Sequence, residues 1–221
     1  MKTLTSLLIV VVALTSVRLL AAQTPFERTS WEFAVAKGST LSSASIGLVG
    51  STRPLNHFRF GLGVRGTYVT GDLKLQAAGA TNVPSDVRDT LSLPASVLML
   101  NISGHVSAQI TDRLEAGMNI DLFGLGTGGS RAGSYRQSPS APAVAVDASP
   151  ATTNVFLFGS ADRGSLNSEF FAAWHATNKL TIRTGLSHQL VEYRASRALA
   201  SNTDRFRRYT NLGFIGLRVG R

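Results

Sequence analysis

The chain of 221 residues has no cysteine, which excludes disulfides, thiolate metal sites and cysteine nucleophiles. Acidic residues are few, 13 Asp and Glu against 22 Lys and Arg, and this balance suits anionic lipid at least as well as nucleic acid. Beyond the N-terminus no apolar run approaches the roughly 20 residues of a helical membrane span. Helical periodicity is scarce, and 21 glycines are scattered through the apolar segments. If the mature chain enters a membrane, it must do so as a closed sheet, the other arrangement that satisfies every backbone group in lipid.

The N-terminus reads as a secretory signal peptide: Lys2 supplies a charged start, Leu4 to Val17 an apolar stretch, and Ala21-Ala22 a small-residue exit. Arg18 interrupts the apolar run, which is too short before that point to cross a bilayer. The expected division is a signal peptide over residues 1–22 and one domain over 23–221. Losing Lys2 and Arg18 leaves 20 basic against 13 acidic residues, a formal charge of +7.

What recurs is a period of two. From His57 to Thr70, Phe58, Phe60, Leu62, Val64 and Tyr68 share one face, and Arg59, Gly61, Gly63, Arg65 and Thr67 share the other. Val97 to Ile110 alternates in the same way. The polar turn Thr111-Asp112-Arg113 leads into Leu114 to Gly124, where Leu114, Ala116, Met118, Ile120 and Leu122 oppose Glu115, Gly117, Asn119, Asp121 and Phe123. A second hairpin runs from Leu166 to Tyr193 around Thr177-Asn178-Lys179. With Trp31 to Lys37, Leu41 to Gly50 and Arg208 to Gly220, the total is eight strands. Asn154 to Phe158 reads as an extension of the sixth strand.

Connection lengths alternate. Segments 51–56, 111–113 and 177–179 are short, whereas 72–90, 125–153 and 194–205 are longer and rich in Gly, Ser, Pro, Asn, Asp and Arg. Short periplasmic turns and long outer loops are the asymmetry of an outer-membrane barrel; the short Gly38 to Thr40 connection is an exception. Turns centred on Asp112 and Asn178 set Gln109 opposite Glu115, His105 opposite Asn119, Ser103 opposite Asp121, His175 opposite Thr181 and Ala173 opposite Arg183. All lie on the polar parity. Eight strands enclose only enough space for side chains, so the expected interior is plugged by a polar network of Arg59, Arg65, His105, Glu115, Asp121, Glu169, Arg183 and Arg218. Trp31 and Trp174 are expected at the periplasmic interface.

Signal, eight alternating strands, short turns and long loops resemble the small outer-membrane barrels of the OmpA and OmpX kind. The resemblance covers nearly the whole mature chain and rests on pattern, without a family-specific motif. It implies an all-β, eight-stranded antiparallel up-and-down transmembrane barrel in the bacterial outer membrane. Its expected partners are outer-membrane lipids, lipopolysaccharide and the assembly machinery, and the chain is expected to be a monomer that binds no nucleic acid. The end departs from the common form, finishing Leu217-Arg218-Val219-Gly220-Arg221 rather than on an aromatic residue.

Chemistry-bearing motifs are weak. His57, His105, His175 and His188 form no metal-ligand spacing, and neither metal nor cofactor is expected. His175-Ala176-Thr177-Asn178 only loosely resembles the His-x-Ser-Asn of lipid A deacylases, and Ser187 and His188, adjacent on a strand, point to opposite faces. Gly124 to Gly133 lacks the Lys-Ser/Thr ending of a phosphate loop. Arg194, Arg197, Arg205, Arg207 and Arg208 form a basic cluster at an outer loop, a candidate lipopolysaccharide contact. The expected function is a non-enzymatic outer-membrane scaffold with surface loops for lipid or ligand contact; the alternatives are a lipid-modifying enzyme and a small-solute channel.

Overall fold

A computed structural model describes residues 26–55, 57–78, 89–199 and 202–220. The segment 1–22 assigned to a signal peptide lies outside the described residues. Eleven strands form one antiparallel sheet: β1 (Arg28–Lys37), β2 (Leu41–Leu55), β3 (Phe58–Ala77), β4 (Thr90–Gln109), β5 (Leu114–Thr127), β6 (Arg131–Arg136), β7 (Val144–Pro150), β8 (Thr153–Val155), β9 (Leu166–His175), β10 (Leu180–Ala195) and β11 (Arg205–Gly220).

The pairings close two rings. β1, β2, β3, β4, β5, β9, β10 and β11 form an eight-stranded ring, sealed where Ser30 to Lys37 pairs with Gly220 to Gly213. Above it β3, β4, β6, β7, β10 and β11 close a second ring of six. There Leu91 pairs with Tyr135, Ala148 with Ala195, and Ala77 with Phe206. Four strands run through both rings. β1 and β2 stop at the boundary because β3 and β11 meet above them, and this accounts for the short Gly38 to Thr40 turn. Thr40 accepts a backbone bond from Asp72, and a Cβ on Gly38 would stand 3.1 Å from the Asn211 carbonyl.

The five hairpin pairs expected on the polar parity are all present: Gln109 with Glu115, His105 with Asn119, Ser103 with Asp121, His175 with Thr181 and Ala173 with Arg183. Other expectations are corrected. Segment 72–90 is not wholly a loop, since β3 continues to Ala77 and β4 starts at Thr90; 125–153 holds the end of β5 and the β6–β7 hairpin, and β10 reaches Ala195 within 194–205. Asn154 does continue the line of the sixth strand, since β8 pairs with Phe123 to Leu125 on the edge of β5 that β9 occupies below, but an excursion closed by the bridge of Val155 to Arg163 separates the two. Phe123 does not share the face of Asp121, because a bulge opposite Ile102 and Ser103 takes up Leu122 and reverses the alternation. Phe123 and Leu125 therefore point outward, 53% and 64% exposed.

Along β3 the inward positions run Arg59, Gly61, Gly63, Arg65 and Thr67, then Val69, Leu73, Leu75 and Ala77. The outward positions run Phe58, Phe60, Leu62, Val64 and Tyr68, then Thr70, Asp72 and Lys74. Polarity inverts on both faces of one strand at the same level. β4 repeats the inversion, with Asn101, Ser103 and Ser107 inside below, Leu91, Leu93, Val97 and Met99 inside above, and Leu98, Leu100 and Ile102 outside below.

Candidate functional site

The lower ring fixes alternate residues toward its axis, and the sequence puts four guanidinium groups and four carboxylates there. They join as one alternating chain. Arg59 meets Glu115 at 3.1 Å, Glu115 meets Arg218 at 2.9 Å, and Arg218 meets Glu32 at 2.7 Å. Glu32 contacts Arg183, which meets Glu169 at 3.0 Å; Arg65 then reaches Glu169 at 3.3 Å and Asp121 at 2.6 Å. Equal numbers of opposite charges in direct contact offset the desolvation that burial imposes on each.

Amides fill the remaining hydrogen-bonding capacity. Asn119 donates to Glu169 at 2.8 Å and accepts from Arg65 at 2.6 Å. Asn101 donates to Asp121 at 2.7 Å, Asn154 donates to Asn101 at 2.8 Å, and Ser187 donates to Asn167 at 2.7 Å. The Phe171 ring packs beneath Arg183, whose guanidinium carbon lies 4.3 Å from the ring centroid. Gly117 makes room for that ring, since a Cβ there would lie 2.7 Å from Phe171 Cζ.

Seven of the eight residues assigned to the interior network from sequence lie in this chain. The eighth, His105, faces the interior but bonds Ser103 through Nε2 at 2.9 Å, with no carboxylate partner among the described residues. Glu32 was not on that roster although it alternates with Trp31 and Phe33, the pattern used elsewhere. His175, also absent from it, contacts Glu115 at 3.3 Å and Thr181 at 2.9 Å. His175 lies at the short-turn end, while Ser187 is buried inside and His188 is outside, stacked on Tyr209.

Above Asn101 the interior becomes apolar. Val69, Leu75, Leu91, Val97, Tyr193 and Phe206 are fully buried in a continuous core. Burial raises the Tyr193 phenol above its ordinary range; its oxygen accepts from the Ser96 amide at 2.8 Å and its hydroxyl donates to the Ser96 carbonyl at 3.2 Å.

The basic cluster sits at the head, largely engaged by the protein itself. Arg194 pairs with Asp204 at 2.6 Å, and Arg205 grips Glu192 through two bonds of 2.9 and 2.7 Å, which hold its guanidinium above the ordinary value. Arg207 donates to the carbonyls of Asp162 and Ser160, and Arg208 to that of Lys74. Arg197 is exposed, with no partner among the described residues.

Outside, Phe58, Leu62, Leu100 and Leu186 are 46%, 52%, 46% and 61% exposed. They belong to an apolar belt that covers Phe58 to Tyr68 on β3. Eleven residues of a tilted strand span about 25 Å, the height of a lipid-facing band. Trp174 is exposed beside the short turn 177–179, at the interfacial level where amphipathic rings collect. An apolar belt around a filled ionic interior, with termini and short turns at one end, is the architecture of an integral outer-membrane barrel.

No protein-family model matches the chain, and no curated protein matches its sequence. Among solved structures it is similar to Neisserial surface protein A, at 12% identity over 87% of this chain and 94% of that one, with a TM-score of 0.37. It is also similar to the Yersinia pestis outer membrane protein Ail in a phospholipid bilayer nanodisc, at 10% identity over 88% and 99% of the two chains, with a TM-score of 0.37. The Pseudomonas putida toluene transporter TodX matches at 10% identity over 91% of this chain and 90% of that one, with a TM-score of 0.21.

Proposed function

We propose that this outer-membrane β-barrel is a non-enzymatic scaffold that holds a rigid extracellular head at the cell surface and contacts lipopolysaccharide phosphates with its basic rim. One observation carries the reading: above its short-turn mouth the interior is occupied, by ion pairs below and an apolar core above. A filled barrel leaves its outer surface as the part that meets ligands. Arg207 stands one outward position above Tyr209 and pairs with Gln76 of β3 in the upper ring, beyond the lipid-facing belt. A rim there is the proposed contact for outer-leaflet phosphates, together with the exposed Arg197. Arg194, Arg205 and Arg208 complete the rim; the bonds they already make hold their guanidinium groups in place.

The chain is proposed to work as a monomer delivered by the outer-membrane assembly machinery. Two measurements test the scaffold reading. In planar bilayers the purified protein is expected to carry no steady current, and a persistent open level would overturn the occupied interior. Lipopolysaccharide retained through purification is expected to fall several-fold in Arg197→Gln/Arg207→Gln, and equal retention removes the basic rim from the proposal. An altered acyl pattern of lipid A on expression, read by mass spectrometry, would replace the scaffold with an enzyme.

A further inference from the structure

The ion chain has a direction. It begins with Arg59 at the short-turn end and finishes with Asp121 beneath the head, so its unshared positive end faces the periplasm. There the ring opens into a cavity of about 60 Å³ lined by Arg28, Arg59, Lys179 and Arg218, with the hydroxyls of Ser51 and Thr181 among its walls. No Asp or Glu among the described residues lines it.

Glu115 stands outside this lining and is already shared by Arg59, Arg218 and His175. Arg28 and Lys179 make no ion pair among the described residues. Glu27, in the adjoining crevice, is held by the Thr52 hydroxyl at 3.4 Å and the Arg53 amide at 3.3 Å. Arg59 lies within electrostatic range of three like charges, Arg218, Arg53 and Arg28. Cations gathered around a small polar cavity repel one another until an anion enters.

We infer that this periplasmic mouth binds a phosphate-type oxyanion, either free phosphate or the headgroup of an anionic lipid of the inner leaflet. Guanidinium forks and hydroxyl donors converging on a cavity of this size match the three or four oxygens of one phosphate. The volume admits a single such group and leaves no room for an extended polymer.

The test uses the folded full chain in maltoside micelles, which contain no phosphate. Acetylation of the Lys179 amine, read by mass spectrometry at constant ionic strength, reports occupancy. Inorganic phosphate is expected to protect Lys179 in a saturable way that chloride does not reproduce, and Arg28→Gln is expected to weaken that protection at least about tenfold. Arg28 belongs to no ion pair, so this variant keeps the ring, as heat-modifiable gel migration checks. Phosphate-dependent protection assigns the site to the free ion. Protection seen only after transfer from micelles into phosphatidylglycerol nanodiscs, and lost in Arg28→Gln, assigns it to a lipid headgroup. No protection in either setting, equal protection by chloride, or protection unchanged in Arg28→Gln overturns the inference.

Discussion

The lower and upper rings share β3, β4, β10 and β11 yet are built inside out with respect to each other. Below, the strands turn Phe60, Leu62 and Leu100 outward and Arg65, Asp121 and Glu169 inward. Above, Leu75, Leu91 and Phe206 turn inward while Asp72, Lys74 and Ser92 face out. The backbone alternation passes through the boundary of β3 and β4 without a break, so the exchange is one of residue type alone. Solvent accounts for it. Hydrocarbon surrounds the lower ring and gives no reward for hiding apolar surface, whereas water surrounds the upper ring and drives that surface into a core. The lower ring is held by backbone bonds and an ion lattice, the upper by burial.

Removing the centre of the lattice should break the lower ring most. Arg183→Met leaves Glu32 and Glu169 each short of a partner in a closed interior, and a loss of roughly 3–5 kcal/mol is expected. Urea unfolding in lipid vesicles measures it, and an unchanged midpoint would remove the lattice as a source of stability. Phe206→Ala attacks the upper ring by opening its apolar core, at a cost of about 3 kcal/mol or more. Hydrogen exchange is expected to speed up in β6 and β7 while β1 and β2 stay protected; uniform loosening would mean that the two rings unfold as one unit.

The inversion itself is sharpened by one substitution at two heights on the outer face of β4. Ile102→Arg in the middle of the belt is expected to cost about 2–4 kcal/mol. Ser92→Arg in the head should stay within about 0.5 kcal/mol. Similar losses at both positions would dissolve the distinction between the two exteriors. The smallest effect is expected from shortening the exposed tip at 137–143 between β6 and β7, which carries none of the buried core. Thermal unfolding of the lower ring should not move.

The lower ring was legible because β-pleating makes alternate residues share a face, and short turns such as Thr111-Asp112-Arg113 fix the register of their flanking strands. Those two facts suffice for the Ser103–Asp121 and Ala173–Arg183 pairs. The head was not read, although Leu73 and Leu75 alternate with Asp72 and Lys74, and Leu91 and Leu93 with Ser92, as clearly as anything below. Gly, Ser and Pro in the same segments pointed to loops, and local composition outweighed a short run of alternation. Phe123 escaped because one bulged residue reverses parity without a mark in composition.

The sequence by itself determined which residues share a face, since the period of a strand is a property of the backbone. It determined the turn ends and the presence of two unlike faces in the same way. Only closure decided which face is the interior at each height, because inside and outside do not exist for an isolated strand. Closure also decided who meets whom: it sets Glu32 beside Arg218 at 2.7 Å where β1 seals to β11, and across the lumen it brings Glu115 to Arg218 at 2.9 Å and Arg65 to Asp121 at 2.6 Å from strands that are not neighbours in the ring. Those contacts depend on ring size and strand tilt, which set the distances across the axis and are global properties of the closed sheet.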